Sequence, residues 1–264
     1  MSLYQDYEVQ VSQSQLSKVV SELGGPVCLL GGWAVYLTVN ENFRASEGRN
    51  FMGSRDIDLG FHMDPSWTDM ELRDSVFART IARIEQVGFR PLSFRFVKRF
   101  HTETRRELSE EEAKRVNQSF IFDMYVDPIV DVIHPRAKQV LGFVPVDEPL
   151  LSQVFAGKRF ASREEFRAKL MLPRPAVLLA TKLNSVSNRD KEHKRMKDIA
   201  DIYGLVWYSD DELIDLRTEL FAMIGREKVA SVLSSFREED YSAVARNLGT
   251  EKIEVSNALS ELKS

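Results

Sequence analysis

The sequence predicts an α+β fold, with a mixed β-sheet in the N-terminal part and helices alone in the C-terminal part. Patterns typical of strands and of helices alternate through the first half of the chain. From about Pro175 onward, the apolar residues recur at helical spacing. Prolines punctuate the region between the two halves, at Pro145, Pro149, Pro173 and Pro175. We therefore expect two domains, residues 1–150 and residues 151–264.

Composition excludes several classes of protein. A chain of 264 residues with 43% hydrophobic and 29% charged residues has the composition of an ordinary folded protein. Its net charge of −4 provides no long-range field that attracts nucleic acid. Cys28 has no second cysteine to pair with, which indicates a small core residue and a reducing, cytoplasmic setting. No signal peptide is visible and no apolar run approaches about 20 residues, so we expect no membrane insertion.

The first elements follow from local patterns. Apolar spacing predicts a helix over residues 12–23, stopped by Gly24-Gly25-Pro26. The apolar run Val27 to Leu30 predicts a buried strand, and the next two glycines open a second helical pattern. The polar stretch from Asn40 to Asn50 is interpreted as an exposed loop and a mobile insert. Strict alternation over residues 55–61 predicts another strand.

Ser66 and Asp69 are candidate caps of one helix with a single apolar stripe that includes Met70 and ends at Gly88. Residues 92–100 alternate as a strand does, and residues 120–126 form a nearly continuous apolar strand. The C-terminal part is predicted to contain helices over residues 177–186, 191–203 and 209–224, with shorter pieces after them.

Asp56 and Asp58 are the first candidate functional residues. Carboxylates at positions i and i+2 of a strand point to the same face. Two acids this close raise one another's pKa unless a cation lies between them, and hard oxygen ligands suit Mg²⁺ or Mn²⁺. The pattern Asp-x-Asp is equally compatible with two solvated surface aspartates. Its sequence context decides between the two interpretations.

That context consists of a glycine pair before the two acids and a serine next to them. Gly31 and Gly32 lie where a strand meets a helix, so a phosphate can approach the backbone N–H groups and the helix N-terminus favours its charge. Ser54 places a hydroxyl donor next to the two acids. The runs Leu29–Ala34 and Gly53–Leu59 resemble the signature of the DNA polymerase β nucleotidyltransferase superfamily. The resemblance implies metal-dependent transfer of a nucleoside monophosphate from a nucleoside triphosphate, with release of pyrophosphate.

In that superfamily a third carboxylate, from a neighbouring strand, completes the metal site. We expect it to be Asp123, because a lone acid in an otherwise buried strand is costly without a cation or partner. Asp131 is the rival candidate. Whichever acid is not the ligand is expected to have a structural partner.

The C-terminal half carries a second resemblance. Residues Leu178–Leu183, Arg189 and Lys197–Ile202 look like the pattern of the AbiEii group, toxins of bacterial toxin–antitoxin systems. The resemblance implies that Lys182 reaches the triphosphate and that Asp198 orients or assists the acceptor. A lysine on an apolar helix face is also compatible with a snorkelling side chain whose charge is solvated.

Two further patterns are less informative. Gly249 has the position of the turn in a helix-turn-helix motif, but the helix expected over residues 250–263 is rich in acids. Acid facing phosphate is unfavourable, so we favour a structural helix pair over DNA recognition. His62 follows Asp58 by four residues and either lies near the site or closes the strand.

The sequence thus predicts an enzyme that uses Mg²⁺ or Mn²⁺ and a nucleoside triphosphate. The acceptor is expected to be RNA, such as tRNA, or protein, and the AbiEii resemblance implies a toxin with an antitoxin as its partner. One alternative is transfer to a small molecule of the aminoglycoside type, whose pocket needs extra acids. The other is a non-catalytic nucleotide-binding module of the same fold.

Overall fold

The computed structural model describes residues 3–21, 23 and 27–263. Its helices are α1 Asp6–Val20, α2 Gly31–Glu47, α3 Asp69–Arg73, α4 Val76–Gln86, α5 Glu110–Arg115, α6 Ala137–Leu141, α7 Leu151–Phe155, α8 Pro175–Val186, α9 Glu192–Tyr208, α10 Leu213–Ile224, α11 Arg226–Ser234, α12 Glu238–Leu248 and α13 Lys252–Glu261. Its strands are β1 Val27–Leu30, β2 Ile57–Phe61, β3 Arg90–Leu92, β4 Arg95–His101, β5 Glu107–Leu108, β6 Ile121–Val130, β7 Val146–Asp147, β8 Phe160–Glu165 and β9 Ala168–Pro173. Among the described residues, no helix is both long enough and apolar enough to cross a membrane.

The nine strands of the described chain form one mixed sheet with the order β3-β4-β6-β2-β1-β9-β8, to which β5 adds beside β4 and β7 beside β6. β2 lies antiparallel to β1 and parallel to β6, so it occupies the middle of the sheet. β9 is parallel to β1, and β4 is antiparallel to β6. This mixed sheet, followed by helices from α8 onward, confirms the predicted α+β class.

The chain forms two compact units that are discontinuous in sequence. The sheet unit comprises the described residues of 4–30 and 54–172, and the helical unit comprises Leu3 and residues 31–53 and 173–263. The helical unit takes its C-terminal segment from Pro173 onward, because β8 and β9 extend the sheet beside β1. It also takes α2 from the N-terminal half, since α2 packs on α8 and α9.

The expectation of an exposed loop from Asn40 to Asn50 is wrong, because α2 continues through most of it to Glu47. Phe43 is buried there, with its ring centroid 5.1 Å from that of Phe51 and 5.0 Å from that of Tyr208. The polar residues around Phe43 occupy the outer face of an amphipathic helix.

Two other predicted helices have different limits. The helix expected over residues 12–23 begins earlier, at Asp6, and its predicted stop at Gly24-Gly25-Pro26 lies outside the described residues. The single helix expected after Ser66 is two, α3 and α4, because Thr68 and Ser75 each accept a capping bond from the backbone. Met70 consequently lies outside the core and is 72% exposed.

Candidate active site

Asp58 lies near the centre of the sheet. It is the second residue of β2, and its backbone is in register with Leu30 of β1 on one side and with Asp127 of β6 on the other. Asp56 comes just before the strand, where the Ser54 hydroxyl donates a hydrogen bond to its carbonyl oxygen at 3.0 Å. Both acids are half-buried, as the alternation of β2 predicts.

Asp127 is the carboxylate that the sequence interpretation missed. Residues in register on neighbouring strands point to the same face, so Asp127 and Asp58 lie side by side. The strand was expected to end at Val126, but β6 continues through Pro128 to Val130. β4 pairs with β6 only as far as Val126, so the proline interrupts no pairing with β4. The signal in the sequence is a polar side chain at every second position, Asp123, Tyr125 and Asp127, which carries the strand pattern past Val126.

Arg95 of β4 binds Asp127 through two hydrogen bonds, Nε to Oδ1 at 2.9 Å and Nη2 to Oδ2 at 2.5 Å. Its guanidinium also lies 4.3 Å from the centroid of the Tyr125 ring. Burial lowers the pKa of Arg95, but its bond to Asp127 and the charge of that carboxylate outweigh burial and raise the pKa. The charges of Asp56 and Asp58 add to this increase, so all three acids act on one cation.

Asp123 and Asp131, the two predicted candidates for the third carboxylate, have other partners. Asp123 is in register with Arg99, whose Nε donates to its Oδ1 at 3.1 Å. It precedes Asp127 by four residues on β6, a distance of roughly 13 Å along a strand. Asp131 accepts hydrogen bonds of 2.9 Å from the backbone N–H groups of Met63 and Val132. The structure therefore brings Asp127, and neither predicted candidate, beside Asp58.

The chemistry of these donors suits a hard divalent cation. Asp56, Asp58 and Asp127 offer only carboxylate oxygens, the ligands that Mg²⁺ and Mn²⁺ prefer. Arg95 engages both oxygens of Asp127. In the part of the chain that the structure describes, no three or more His, Cys, Asp or Glu side chains are already arranged to hold a metal. A cation bound at these acids would share Asp127 with Arg95.

The glycine pair lies at a junction between strand and helix, as predicted. β1 ends at Leu30 and α2 begins at the next residue, Gly31. Gly31 has a φ of +58°, a conformation that side chains with a Cβ rarely adopt. The first turn of α2, with Gly31 and Gly32, has the unpaired N–H groups of a helix N-terminus.

Lys182 and Asp198 are buried in the helical unit, between α8 and α9. Lys182 Nζ lies 2.8 Å from Asp198 Oδ1 and 2.7 Å from Asp201 Oδ2. Lys197 binds the other oxygen of Asp201. Arg189 Nε donates to Asp198 Oδ2 at 2.6 Å. We call these five charged residues the ion cluster.

Electrostatics keeps the central pair of the ion cluster charged. Burial favours the neutral form of Asp198, but Lys182 and Arg189 outweigh it and lower the pKa of Asp198 to about 2. Burial lowers the pKa of Lys182, but Asp198 and Asp201 reverse the shift and raise it above its ordinary value. Lys182 is thus a buried ion-pair partner, not a snorkelling lysine. Its predicted contact with the triphosphate, and the predicted role of Asp198 toward the acceptor, stay predictions.

No protein-family model matches the chain, and no curated protein matches it either. Among solved structures, it is similar to an antigenic nucleotidyltransferase-like protein from Paracoccidioides brasiliensis, with 16% sequence identity. The similarity covers 90% of this chain and 93% of that one, with a TM-score of 0.48. At this identity and score, the similarity does not assign the chain to a family.

Proposed function

We propose that this protein is a metal-dependent nucleotidyltransferase that moves a nucleoside monophosphate from a nucleoside triphosphate to an acceptor. The observation that carries the proposal is the register of Asp58 on β2 with Asp127 on β6. Asp56 lies two residues before Asp58 in the chain. Asp56, Asp58 and Asp127 repel one another unless a cation lies among them, and Arg95 donates its two hydrogen bonds to Asp127. The resemblance around Asp56 and Asp58 supports the same reaction.

Each residue has a stated part in this proposal. Asp56, Asp58 and Asp127 would hold Mg²⁺ or Mn²⁺, which, when bound, supplies charge neutralisation for the triphosphate and activates the acceptor hydroxyl. Ser54 fixes the backbone that leads into β2. Arg95 orients Asp127 and contributes a positive charge on the same face of the sheet. Gly31 and Gly32 offer the helix N-terminus that binds phosphate.

The acceptor that we propose is RNA, such as tRNA, or protein, on the basis of the resemblance to the AbiEii group. A role as a toxin, countered by an antitoxin, rests on the same resemblance. The AbiEii-like residues Lys182 and Asp198 lie in the ion cluster. Their ion pairs there give this part of the AbiEii-like pattern a structural explanation.

A second candidate is a non-catalytic nucleotide-binding module, and the bidentate bond between Arg95 and Asp127 favours it. A guanidinium that stays on Asp127 replaces a metal as the counter-charge. The two candidates differ in whether Arg95 yields to a divalent cation.

Incubation of the purified protein with each labelled nucleoside triphosphate, Mg²⁺ and total RNA separates these functions. Label on RNA or on protein supports nucleotidyl transfer and identifies the acceptor class. Label on neither, together with measurable binding of a triphosphate, supports the binding module. Label on an added aminoglycoside alone supports the small-molecule alternative.

Substitutions test which acids are involved. Asp58→Asn and Asp127→Asn are each expected to reduce transfer at least ~10³-fold, because each removes charge where the transition state is stabilised. Asp123→Asn is the matched control, since it lies on the same face of β6 but is paired with Arg99. It should retain most activity. Loss of transfer in Asp123→Asn, with activity kept in Asp127→Asn, would return the third-ligand role to Asp123.

A further inference from the structure

Three partly exposed rings of the sheet unit lie together beyond the end of β2. The ring centroid of His62 is 5.9 Å from that of Trp67 and 5.9 Å from that of Phe155. Trp67 meets the imidazole edge-on, with 78° between the planes, and Phe155 is tilted by 45°. We call His62, Trp67 and Phe155 the ring platform.

Asp131 fixes the orientation of the imidazole. Its Oδ2 is 2.5 Å from His62 Nδ1, while its Oδ1 accepts two backbone hydrogen bonds. The Asp131 side chain is 8% exposed and that of His62 is 52% exposed. A buried carboxylate thus holds an exposed ring, and Nε2 is the ring nitrogen that can meet a ligand.

The other two rings are also held by ordered backbone. The ring of buried His134 donates through Nε2 to the carbonyl of Trp67 at 3.0 Å, and the Trp67 N–H bonds to the carbonyl of Asp64 at 3.1 Å. Phe155 is the last residue of α7. The first residue of α7, Leu151, packs so closely on Gly60 that a Cβ there would lie 3.1 Å from Leu151 Cδ2. The backbone that carries these two rings is therefore ordered, which reduces the entropy lost on binding a ligand.

The platform is aligned with the three carboxylates. Asp58, Gly60 and His62 follow one another at every second residue, and Asp127 and Asp131 are four residues apart, as Asp58 and His62 are. Four residues separate the acid pair from the His62–Asp131 pair, or roughly 13 Å along the strands. This distance is about that of four stacked bases at 3.4 Å each. A flexible acceptor strand can span it, whereas the base of a triphosphate bound at the metal is joined to the reacting phosphate through a single ribose.

We propose that the ring platform binds a nucleobase of the acceptor strand, by stacking on its aromatic rings and a hydrogen bond to His62 Nε2. Aromatic platforms accept any base, because every base presents a π-face. They suit a protein with a net charge of −4, which has no overall field to hold phosphates. That the bound strand is the acceptor rests on the proposed function. Binding of the strand itself can be measured without nucleotidyl transfer.

The test measures the affinity of the purified full-length protein for single-stranded oligoadenylate by calorimetry, in EDTA and at low ionic strength. Trp67→Ala is expected to weaken binding about tenfold to a hundredfold, the range for loss of one stacked base. Trp67→Phe should recover most of the affinity. Trp207→Ala, which removes a tryptophan that is 47% exposed on α9, is the matched control and should bind as the parent does.

His62→Ala should also weaken binding, whereas His101→Ala should not, although His101 likewise stacks on an aromatic ring, that of Phe120. Unchanged affinity in folded Trp67→Ala protein, or an equal loss in Trp207→Ala protein, would overturn the proposal. Loss of ATP affinity with unchanged oligoadenylate affinity would overturn the assignment to the acceptor. Asp58→Asn should bind oligoadenylate normally, so failure of transfer and failure of the platform are distinguishable.

Discussion

Arg95 brings several interactions together beside the acids Asp56, Asp58 and Asp127. Its guanidinium forms two hydrogen bonds with Asp127 and a cation–π contact with the Tyr125 ring. The negative charges of Asp56 and Asp58 also raise its pKa. Its positive charge reduces the repulsion among the acids and competes with a divalent cation for the same oxygens.

Arg95→Gln is expected to increase the affinity for Mn²⁺ by roughly tenfold, because it removes a positive charge next to the ligands and frees Asp127. Titration with Mn²⁺, followed by the electron paramagnetic resonance of the free ion, measures the change. Arg99→Gln, which releases Asp123 instead, is the control and should bind Mn²⁺ like the parent. Weaker Mn²⁺ binding in Arg95→Gln would mean that Arg95 is needed to position Asp127.

The position of a residue could be predicted from the sequence where it depends on a pattern that repeats over neighbouring residues. Asp56 and Asp58 alternate with apolar residues on one strand, so their shared face could be predicted. Asp127 could not be found in the same way, because Pro128 suggests the end of a strand and its pairing with Asp58 joins residues far apart in sequence. The burial of Lys182 depends on charges of a second helix, which no local pattern shows.

At the scale of elements, the ion cluster joins α8 to α9 and makes the stability of the helical unit sensitive to acid. The folded-state pKa of Asp198 is about 2, below the ordinary value of 3.8. A lowered pKa stabilises the fold above the unfolded value, and this stabilisation is lost as the pH falls toward the folded one.

We expect the free energy of unfolding to fall by about 2 kcal/mol between about pH 5 and pH 1 through Asp198, the amount that the shift from 3.8 to about 2 represents. Urea unfolding at a series of pH values measures it. Asp198→Asn should show a flatter dependence over this range, from a lower starting stability. The exposed Asp190→Asn is the control, and an identical slope in Asp198→Asn and the parent would contradict the prediction.

α9 also contains a glycine that its packing requires. A Cβ at Gly204 would lie 2.7 and 2.9 Å from ring carbons of Phe51, which is buried. In an exposed helix, exchange of glycine for alanine stabilises by up to about 1 kcal/mol. The steric conflict with Phe51 reverses the sign here.

Gly204→Ala is expected to lower stability by about 1 to 3 kcal/mol, the usual cost of overpacking a core. Thermal unfolding followed by circular dichroism tests this. Phe51→Leu removes the ring, so adding Gly204→Ala to that variant should cost much less than adding it to the parent. Equal costs in the two backgrounds would show that Phe51 is not the obstacle.

The predicted elements differ in how far local sequence determines them. The C-terminal helices were predicted because their apolar faces repeat every three to four residues. The end of α2 was missed because Phe43 alone marks the buried face in a polar stretch. Its aromatic partners Phe51 and Tyr208 belong to other parts of the chain.

At the scale of the whole molecule, the chain crosses between the two units several times. Residues 31–53 belong to the helical unit, residues 54–172 to the sheet unit, and the chain from Pro173 onward to the helical unit again. Residues 31–53 therefore belong with α8 and α9, although 119 residues of the sheet unit, 54–172, separate them in sequence. The packing of α2 on α8 and α9 depends on contacts between residues far apart in sequence. The positions of the prolines between the two halves therefore could not reveal it. The predicted division at residue 150 uses only local composition.

Removal of residues 173–264 should therefore prevent normal folding of the remainder. A fragment of residues 1–172 keeps α2 but lacks α8 and α9, on which α2 packs, and so exposes Phe43, which is buried against Tyr208 in the full chain. We expect it to bind a hydrophobic dye and to lack a cooperative thermal transition. Co-expression with residues 173–264 should abolish the dye binding and restore the cooperative transition. A cooperative transition in the isolated fragment would contradict this prediction.

The strand order also bears on self-association. β3 and β8 are at the two ends of the sheet, where backbone groups can recruit a strand from another molecule and begin a filament. β3 contains Pro91, which has no N–H to donate, and β8 carries Arg163, Glu164 and Glu165 in succession. Charges and proline at these positions discourage aggregation. The two margins of the sheet thus help to keep each copy of the protein separate at high concentration.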